Sequence, residues 1–394
     1  MIDKRSLTPL GEVMIERQEM PSLKDIASGR IRVIEKISFD TGRIQLRSNG
    51  STRTGMILVR PGDLVVSGIN AAKGAIAIYD PQADEAIAAT IHYGAYIPNP
   101  ERADSRFLWW MLRSRSFRDL VAEYVPGGIK TELKAKRLLP VPVPIPPLSA
   151  QRRIVSHIEE LAAKIEEAQR LRREAIEEGE SILSSCIGTT LDRFYREGIT
   201  MPVDSLCVRI VDCKHYTPRY CSTGGHPAVR TGDIHVGWID SKSAKRVELE
   251  DYENMTRQYK PTRNDVLYAR EGNWGNAGII ETGESIAISQ RVMLFSPETE
   301  RIDPRFLMWS LNSPQVRRLA SKKRRGYTAI HVNVADARKF PVPCPPLSEQ
   351  HRIVQYLDSV MARVDVLRRL EAETVTEIDA LLPAILDWAL NEDL

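Results

Sequence analysis

Cys207, Cys213, His215, Cys221 and His226 fall within twenty residues of one another. Thiolates and imidazoles are zinc ligands, so this group is the sharpest metal-site candidate in the chain. Structural zinc sites are usually built from tight Cys-x-x-Cys or His-x-x-x-His pairs, and neither spacing occurs here, so no metal is expected. Gly272, Gly275 and Gly278 have the wrong spacing for a dinucleotide fingerprint, and no helix clearly follows them. There is no Gly-x-x-x-x-Gly-Lys-Ser/Thr phosphate loop and no His-Glu-x-x-His pair. Asn99-Pro100-Glu101 lacks the second proline and the aromatic of an amino-methyltransferase motif and reads as a turn. The acidic residues never gather with a lysine into a nuclease cluster. Neither catalysis nor a bound cofactor is therefore expected of this chain alone.

What remains is chemistry for holding a polyanion. The 394 residues carry 55 Lys+Arg against 52 Asp+Glu. Residues 1–150 have a net charge of +5, 151–196 of −1, 197–344 of +5 and 345–394 of −6. Two basic blocks thus alternate with a neutral and an acidic one, and each basic block is able to meet a polyanion. The longest apolar stretches, Leu64 to Ile69 and Gly74 to Tyr79, fall far short of a bilayer span. Met1-Ile2-Asp3-Lys4-Arg5 lacks the apolar core of a signal peptide. Five cysteines without paired spacing make no disulfide framework. A soluble cytoplasmic protein is expected.

The chain is duplicated. Pro142-Val143-Pro144-Ile145-Pro146-Pro147-Leu148-Ser149-Ala150-Gln151-Arg152-Arg153-Ile154-Val155 returns 199 residues later as Pro341-Val342-Pro343-Cys344-Pro345-Pro346-Leu347-Ser348-Glu349-Gln350-His351-Arg352-Ile353-Val354. The same shift carries Asp104 to Trp110 onto Asp303 to Trp309, and Gly127 onto Gly326. So long a period excludes a solenoid.

After each proline run the spacing predicts a long helix, with Ser149 and Ser348 at the N-cap positions. Apolar residues recur at Ile154, Ile158, Leu161, Ile165, Ala168, Leu171 and Ala175, and again at Ile353, Leu357, Val360, Val364, Leu367 and Leu370. Steps of four and three residues make a coiled-coil seam, with a stutter at Ala168–Leu171. Each helix is expected to run about 35–40 residues, or about 50–60 Å. A narrow stripe on so long a helix needs a partner, and the other copy is the nearest one. The basic blocks read as small antiparallel sheets with irregular loops: strands near 56–59, 64–67, 75–79, 265–268, 279–280 and 292–295, and one helix each, Arg106 to about Ala122 and Arg305 to about Lys323.

These residues resemble the specificity (S) subunits of type I restriction-modification systems over essentially the whole chain. The two Pro-Pro-Leu-Ser-x-Gln-x-Arg-Ile-Val segments carry most weight. The first module adds Gly62 to Gly74; the second adds His215 to Tyr220, Arg230 to Ile234, Asp265 to Gly272, Ile288-Ser289-Gln290-Arg291 and His331 to Val334. The resemblance implies an α+β fold: two mixed α/β target recognition domains separated by two long helices forming an intramolecular antiparallel coiled coil. Its divisions are target recognition domain 1 at 1–145, conserved spacer helix 1 at 146–196, domain 2 at 197–344 and spacer helix 2 at 345–394. It further implies that each domain reads half of an asymmetric bipartite double-stranded DNA site. The helices would set the spacing and dock two methyltransferase subunits, to which an endonuclease/translocase subunit adds. S-adenosylmethionine belongs on the methyltransferase, not here. Read from the residues alone, a coiled-coil scaffold whose duplicated modules bind proteins stays open.

Loops bearing Arg, Lys, Asn, Thr and Tyr are the natural DNA contacts. In the first module these are Ser67, Asn70 and Lys73 and, in the Gly127 to Arg137 loop, Lys130, Thr131, Lys134 and Lys136. In the second they are Lys214, His215, Tyr216, Arg230, Arg270, Asn273, Trp274, Asn276, the run Lys322-Lys323-Arg324-Arg325, Tyr327 and His331. Replacing Lys322 to Arg325 by glutamine should weaken duplex binding and flatten its dependence on salt, as measured by titration at several salt concentrations. An unchanged slope would remove this run from the interface.

Overall fold

The structure, a computed structural model, describes residues 7–47, 55–128, 132–213, 216–325 and 331–392. Two compact units emerge: residues 1–171 with 373–394, and residues 172–372. Among the described residues no helix is long and apolar enough to cross a membrane.

Each unit is built on a four-stranded antiparallel sheet of the same strand order. In the first the order is Met14–Glu16, Tyr93–Pro98, Leu64–Ser67, Ile76–Ile78; in the second it is Cys207–Asp212, Val292–Pro297, Val266–Ala269, Ala277–Ile279. The inner strands Leu64–Ser67, Val266–Ala269 and Val292–Pro297 are buried almost throughout, whereas Tyr93–Pro98 is buried only at Ala95 and Tyr96. A short strand ahead of each sheet closes on the proline run: Leu7–Pro9 pairs with Pro142–Pro144, and Thr200–Pro202 with Pro341–Pro343. Proline has no N–H to donate, so it is confined to such short edge ladders.

The single helix expected in each module is broken in two. Ser105–Arg113 is followed by Arg115–Tyr124, and Pro304–Leu311 by Pro314–Lys323. Ser114 interrupts the first: its hydroxyl accepts from the Phe117 N–H (3.1 Å) and donates to the Met111 carbonyl (2.7 Å), ending one helix and capping the next. In the second, Pro314 has no N–H for a continuing ladder. Asp104 and Asp303 cap the leading helices, each accepting two backbone N–H groups.

The long helices span Leu148–Arg196 and Leu347–Glu392, 49 and 46 residues, longer than the apolar stripe predicted. They begin on Leu148 and Leu347, so Ser149 and Ser348 lie inside the first turn instead of capping it. The entrance is held by glutamine. Gln151 accepts from the Asp104 N–H (2.8 Å) and donates to the Arg102 and Pro146 carbonyls. Gln350, fully buried, does the same for Asp303, Arg301 and Pro345.

The seam divides into three classes. Ile154, Ile158, Ile353, Leu357 and Val364 are buried, while Leu161, Ile165 and Val360 are half-buried. Leu171, Leu367 and Leu370 are 51%, 37% and 51% exposed, contrary to their expected place in a dry seam. Two helices alone leave most of each helix's circumference uncovered, and full burial occurs only where a module's core adds a third surface. In the first unit Ile154, Val155 and Ile158 share a core with Leu386 and Ala389, and the His157 ring lies 5.6 Å from Trp388. In the second, Leu183, Ile187, Leu191 and Phe194 join Ile353, Leu357, Met361 and Val364. The helices there run antiparallel: Arg172 donates to the Leu370 carbonyl (2.7 Å), Arg368 meets Glu180 (2.6 Å), Tyr356 meets Cys186, and Arg193 meets Glu349.

Gln350→Leu should lower stability by on the order of 3 kcal/mol, because it strips hydrogen bonds from buried backbone groups at the helix entrance. Urea unfolding of the full chain measures this, and a change under 1 kcal/mol would deny the clamp its role.

Candidate nucleic-acid interface

The antiparallel register gathers several chain segments at one end of each sheet. In the second unit Asp212 stands opposite Met293, and Ala269 opposite Val292. Just beyond, the Arg270 N–H donates to the Arg291 carbonyl (2.9 Å), and the Val332 N–H to the Arg270 carbonyl (3.1 Å). The Arg291 N–H donates to Cys213 Sγ (3.0 Å). Four stretches separated in sequence thus meet in one knot, and the 271–276 loop departs from it. The first unit repeats the pattern: the Gly68 N–H donates to the His92 carbonyl (2.7 Å), and the Leu133 N–H to the Gly68 carbonyl (2.8 Å).

Arg270 is buried. Its guanidinium donates to Asp212 Oδ1 (2.7 Å) and the Val332 carbonyl (3.1 Å). It braces the knot and offers no surface to DNA, which corrects its reading as a contact residue. Ser67 is also buried, its hydroxyl accepting from the Asn70 N–H (3.3 Å). Side chains at a strand end that close a turn look, in sequence, like side chains that reach outward.

The other candidates fall into two groups. In the first unit Asn70 leads a short 3-10 turn, Ala71–Lys73, with Lys73 exposed and its Nζ 5.8 Å from the centre of the Phe39 ring. This turn is fixed from below by Arg113, which donates to the Gly74 and Phe39 carbonyls (3.2 and 3.1 Å) and lies over the Trp109 ring. Burial holds the Arg113 pKa down at about 10. Lys134 and Lys136 are exposed on the segment anchored by Leu133, Lys134 lying 3.6 Å from Glu132. In the second unit the structure brings Arg230, Asn273 and Asn276 together. Asn273 donates to the Gly232 carbonyl (3.3 Å) and Asn276 to the Ile234 carbonyl (3.1 Å), so the 230–234 and 270–276 loops form one surface. Arg230 rests on Asp233 (3.2 Å) with its side chain 40% exposed. Asn312 holds the loop's far end through paired bonds to Ala277. Trp274 is half-buried against the second unit's core.

Tyr216 donates to buried Asp251, which raises the phenol's pKa and ties the side chain to its own unit. Lys322 is exposed near the end of Pro314–Lys323. The backbone of Arg324 and Arg325 pairs with Val332 and His331. Lys130, Thr131, Lys214, His215 and Tyr327, and the side chains of Lys323, Arg324, Arg325 and His331, lie outside the described residues.

Sequence reasoning missed a groove of ≈ 570 Å³ lined by Arg209, Asp212, Cys213, Gln258 and Arg338. Its two arginines, Arg209 and Arg338, are far apart in sequence, so only the fold brings both to one groove. Of the candidate metal residues, Cys207 and Cys213 flank opposite ends of a strand, and His226 stacks on Tyr252 with ring centres 4.2 Å apart. Among the described residues no group of three or more His, Cys, Asp or Glu is placed to hold a metal ion.

Residues 220–374 match the family model described as the type I restriction modification DNA specificity domain. The chain is 23% identical over 287 residues to the EcoBI specificity subunit of a type I restriction enzyme of Escherichia coli. That match takes in 66% of this chain but only 60% of the relative's length. It is 20% identical over 361 residues to the EcoKI specificity subunit of Escherichia coli strain K12, covering 85% of this chain and 75% of that one. Among solved structures, a chain from work described as the structural basis underlying complex assembly and conformational transition of the type I R-M system superposes with a TM-score of 0.66. It is 21% identical, covers 98% of both chains, and establishes the likeness of fold.

Burial, followed by Asp204 and Asp265, pushes the Cys207 thiol up to about 12. Thiolate is the reactive form, so alkylation at pH 8 should leave Cys207 unmodified in the folded chain and modify it after denaturation. Mass spectrometry of the digested protein checks this; rapid native labelling would contradict it.

Proposed function

We infer that this chain is the specificity (S) subunit of a type I restriction-modification system, and that its two modules read the two halves of an asymmetric bipartite site in duplex DNA. One observation carries the inference. Two sheets of identical strand order end in the same backbone knot, yet the loops leaving those knots bear different side chains. Backbone bonds fix the frame whatever the side chains are, so each module is free to present its own donors and acceptors to a groove. Unlike loops on like frames suit a site whose halves differ.

On this reading Asn70, Lys73, Lys134 and Lys136 face one half-site. Arg230, Asn273 and Lys322 face the other, with Trp274 packing beneath them and Asn276, bonded to the Ile234 carbonyl and to Arg317, bracing the loop. Phosphate contacts from the lysines position the duplex, and the amides read base edges. The long helices set the spacing and dock two methyltransferase subunits. Their exposed apolar residues, among them Ile182, Leu367 and Leu370, favour such docking. An endonuclease/translocase subunit joins that assembly. Methyl transfer from S-adenosylmethionine and strand cleavage belong to those partners, and this chain supplies recognition without catalysis.

The test is genome-wide mapping of methylated adenines in cells with and without the gene. An asymmetric two-part motif that vanishes on deletion is expected. Identical methylation in both strains would overturn the assignment.

A further inference from the structure

Arg291 belongs to none of the surfaces described above, yet its backbone is tightly held at the second knot. Its φ of +67° lies in the left-handed region that side chains with a Cβ rarely adopt. Its N–H is held by Cys213 Sγ and its carbonyl by the Arg270 N–H. The guanidinium Nε lies 3.0 Å from Glu271 Oε2, with the two side chains 33% and 31% exposed. Among the described residues no acceptor is bonded to its two Nη atoms.

The duplication supplies an independent comparison. The residue just before the Tyr93–Pro98 strand is His92, as Arg291 just precedes Val292–Pro297. The His92 carbonyl receives the Gly68 N–H as the Arg291 carbonyl receives that of Arg270. His92 Nδ1 lies 3.0 Å from Glu132 Oε1, and that hydrogen bond holds the Glu132 carboxyl below its usual range. Both modules therefore place a nitrogen-bearing side chain at the same backbone position and pin it with a carboxylate from a neighbouring loop.

A phosphate clamp is poorly served by that arrangement. The carboxylate cancels most of the arginine's charge and repels the DNA backbone. A base reader gains from it, because a long flexible side chain is fixed before binding and loses less freedom on contact. With Nε turned to Glu271, the Nη atoms remain for a pair of acceptors, and guanine presents O6 and N7 in the major groove. We propose that Arg291 reads a guanine in the half-site of the second module, with Glu271 as its positioning residue. The proposal rests on the DNA-recognition reading above.

The test uses the full chain and duplexes carrying the methylation motif mapped for the wild type. Each guanine is replaced in turn by 7-deazaguanine, which keeps its pairing and loses the N7 acceptor. For the wild type, one guanine in one half should cost about 10- to 100-fold in affinity when replaced. R291K keeps the charge but not the fork, so it should bind the native duplex weaker by a similar factor. It should also be indifferent to replacement at that guanine alone. E271Q, which leaves the arginine in place, should lose part of the discrimination at the same position. Should R291K fail to fold, as judged by its melting curve, E271Q decides: retained discrimination at every guanine overturns the proposal. R291K binding and discriminating like the wild type also overturns it, as does a second half-site without guanine. A wild-type chain that ignores its mapped motif would instead refute the recognition reading itself.

Discussion

The structure depends on apolar helix stripes being buried by chain that lies far away in sequence. The core around Ile154 and Ile158 is completed by Leu386 and Ala389, from the far end of the second long helix. The core around Ile353, Leu357 and Val364 is completed by Leu183, Ile187, Leu191 and Phe194, from the far end of the first. The first unit joins residues 1–171 to 373–394, and the second, residues 172–372, closes by packing the two ends of its own stretch together. Each fully buried aliphatic side chain contributes ~1.5–3 kcal/mol relative to exposure. A half-exposed pair such as Arg368–Glu180 contributes ~0.2–1 kcal/mol. Burial of the stripes therefore dominates, and the ion pairs along the helices set register more than stability.

On that foundation each module keeps one frame and varies what the frame carries. The knots at the sheet ends are tied through backbone N–H and carbonyl groups, whose bonding is indifferent to side-chain identity. Glycine at 68 and arginine at 270 occupy corresponding places in the two knots, and the same two bonds form at each. At 270 the larger side chain turns inward and becomes a brace through Asp212. This is how two modules of one ancestry of form accommodate unlike recognition loops without unlike sheets.

The sequence revealed the repeat, the paired helices and the antiparallel character of the modules, because those follow from periodicity and from the places where proline and glycine fall. The strands at Met56–Val59, Leu64–Ser67 and Val292–Pro297 lie where the β-branched runs put them. The helix ends were harder to see. Past Ala175 the stripe shifts to Leu183, Ile187, Leu191 and Phe194, a change of face that a fixed heptad does not follow. The break at Ser114 was hidden because a serine inside an apolar pattern reads as a polar-face residue until its hydroxyl is seen bonded on both sides. At the interface, residue type showed which side chains have suitable chemistry but not which way they turn. Arg270 and Arg230 look alike in sequence; one is sealed inside and the other is 40% exposed. His92 and Glu132 carry no local signal, since they stand forty positions apart and only the fold brings them together.

Hydrogen exchange on the full chain and on its Leu386→Asp variant probes this interdependence most directly. A charge at that buried site should speed exchange through residues 148–162 while leaving residues 183–194 protected as before. Unchanged protection at 148–162, or a loss spread evenly over both stretches, would contradict the view that each core is completed by a specific, distant segment of helix.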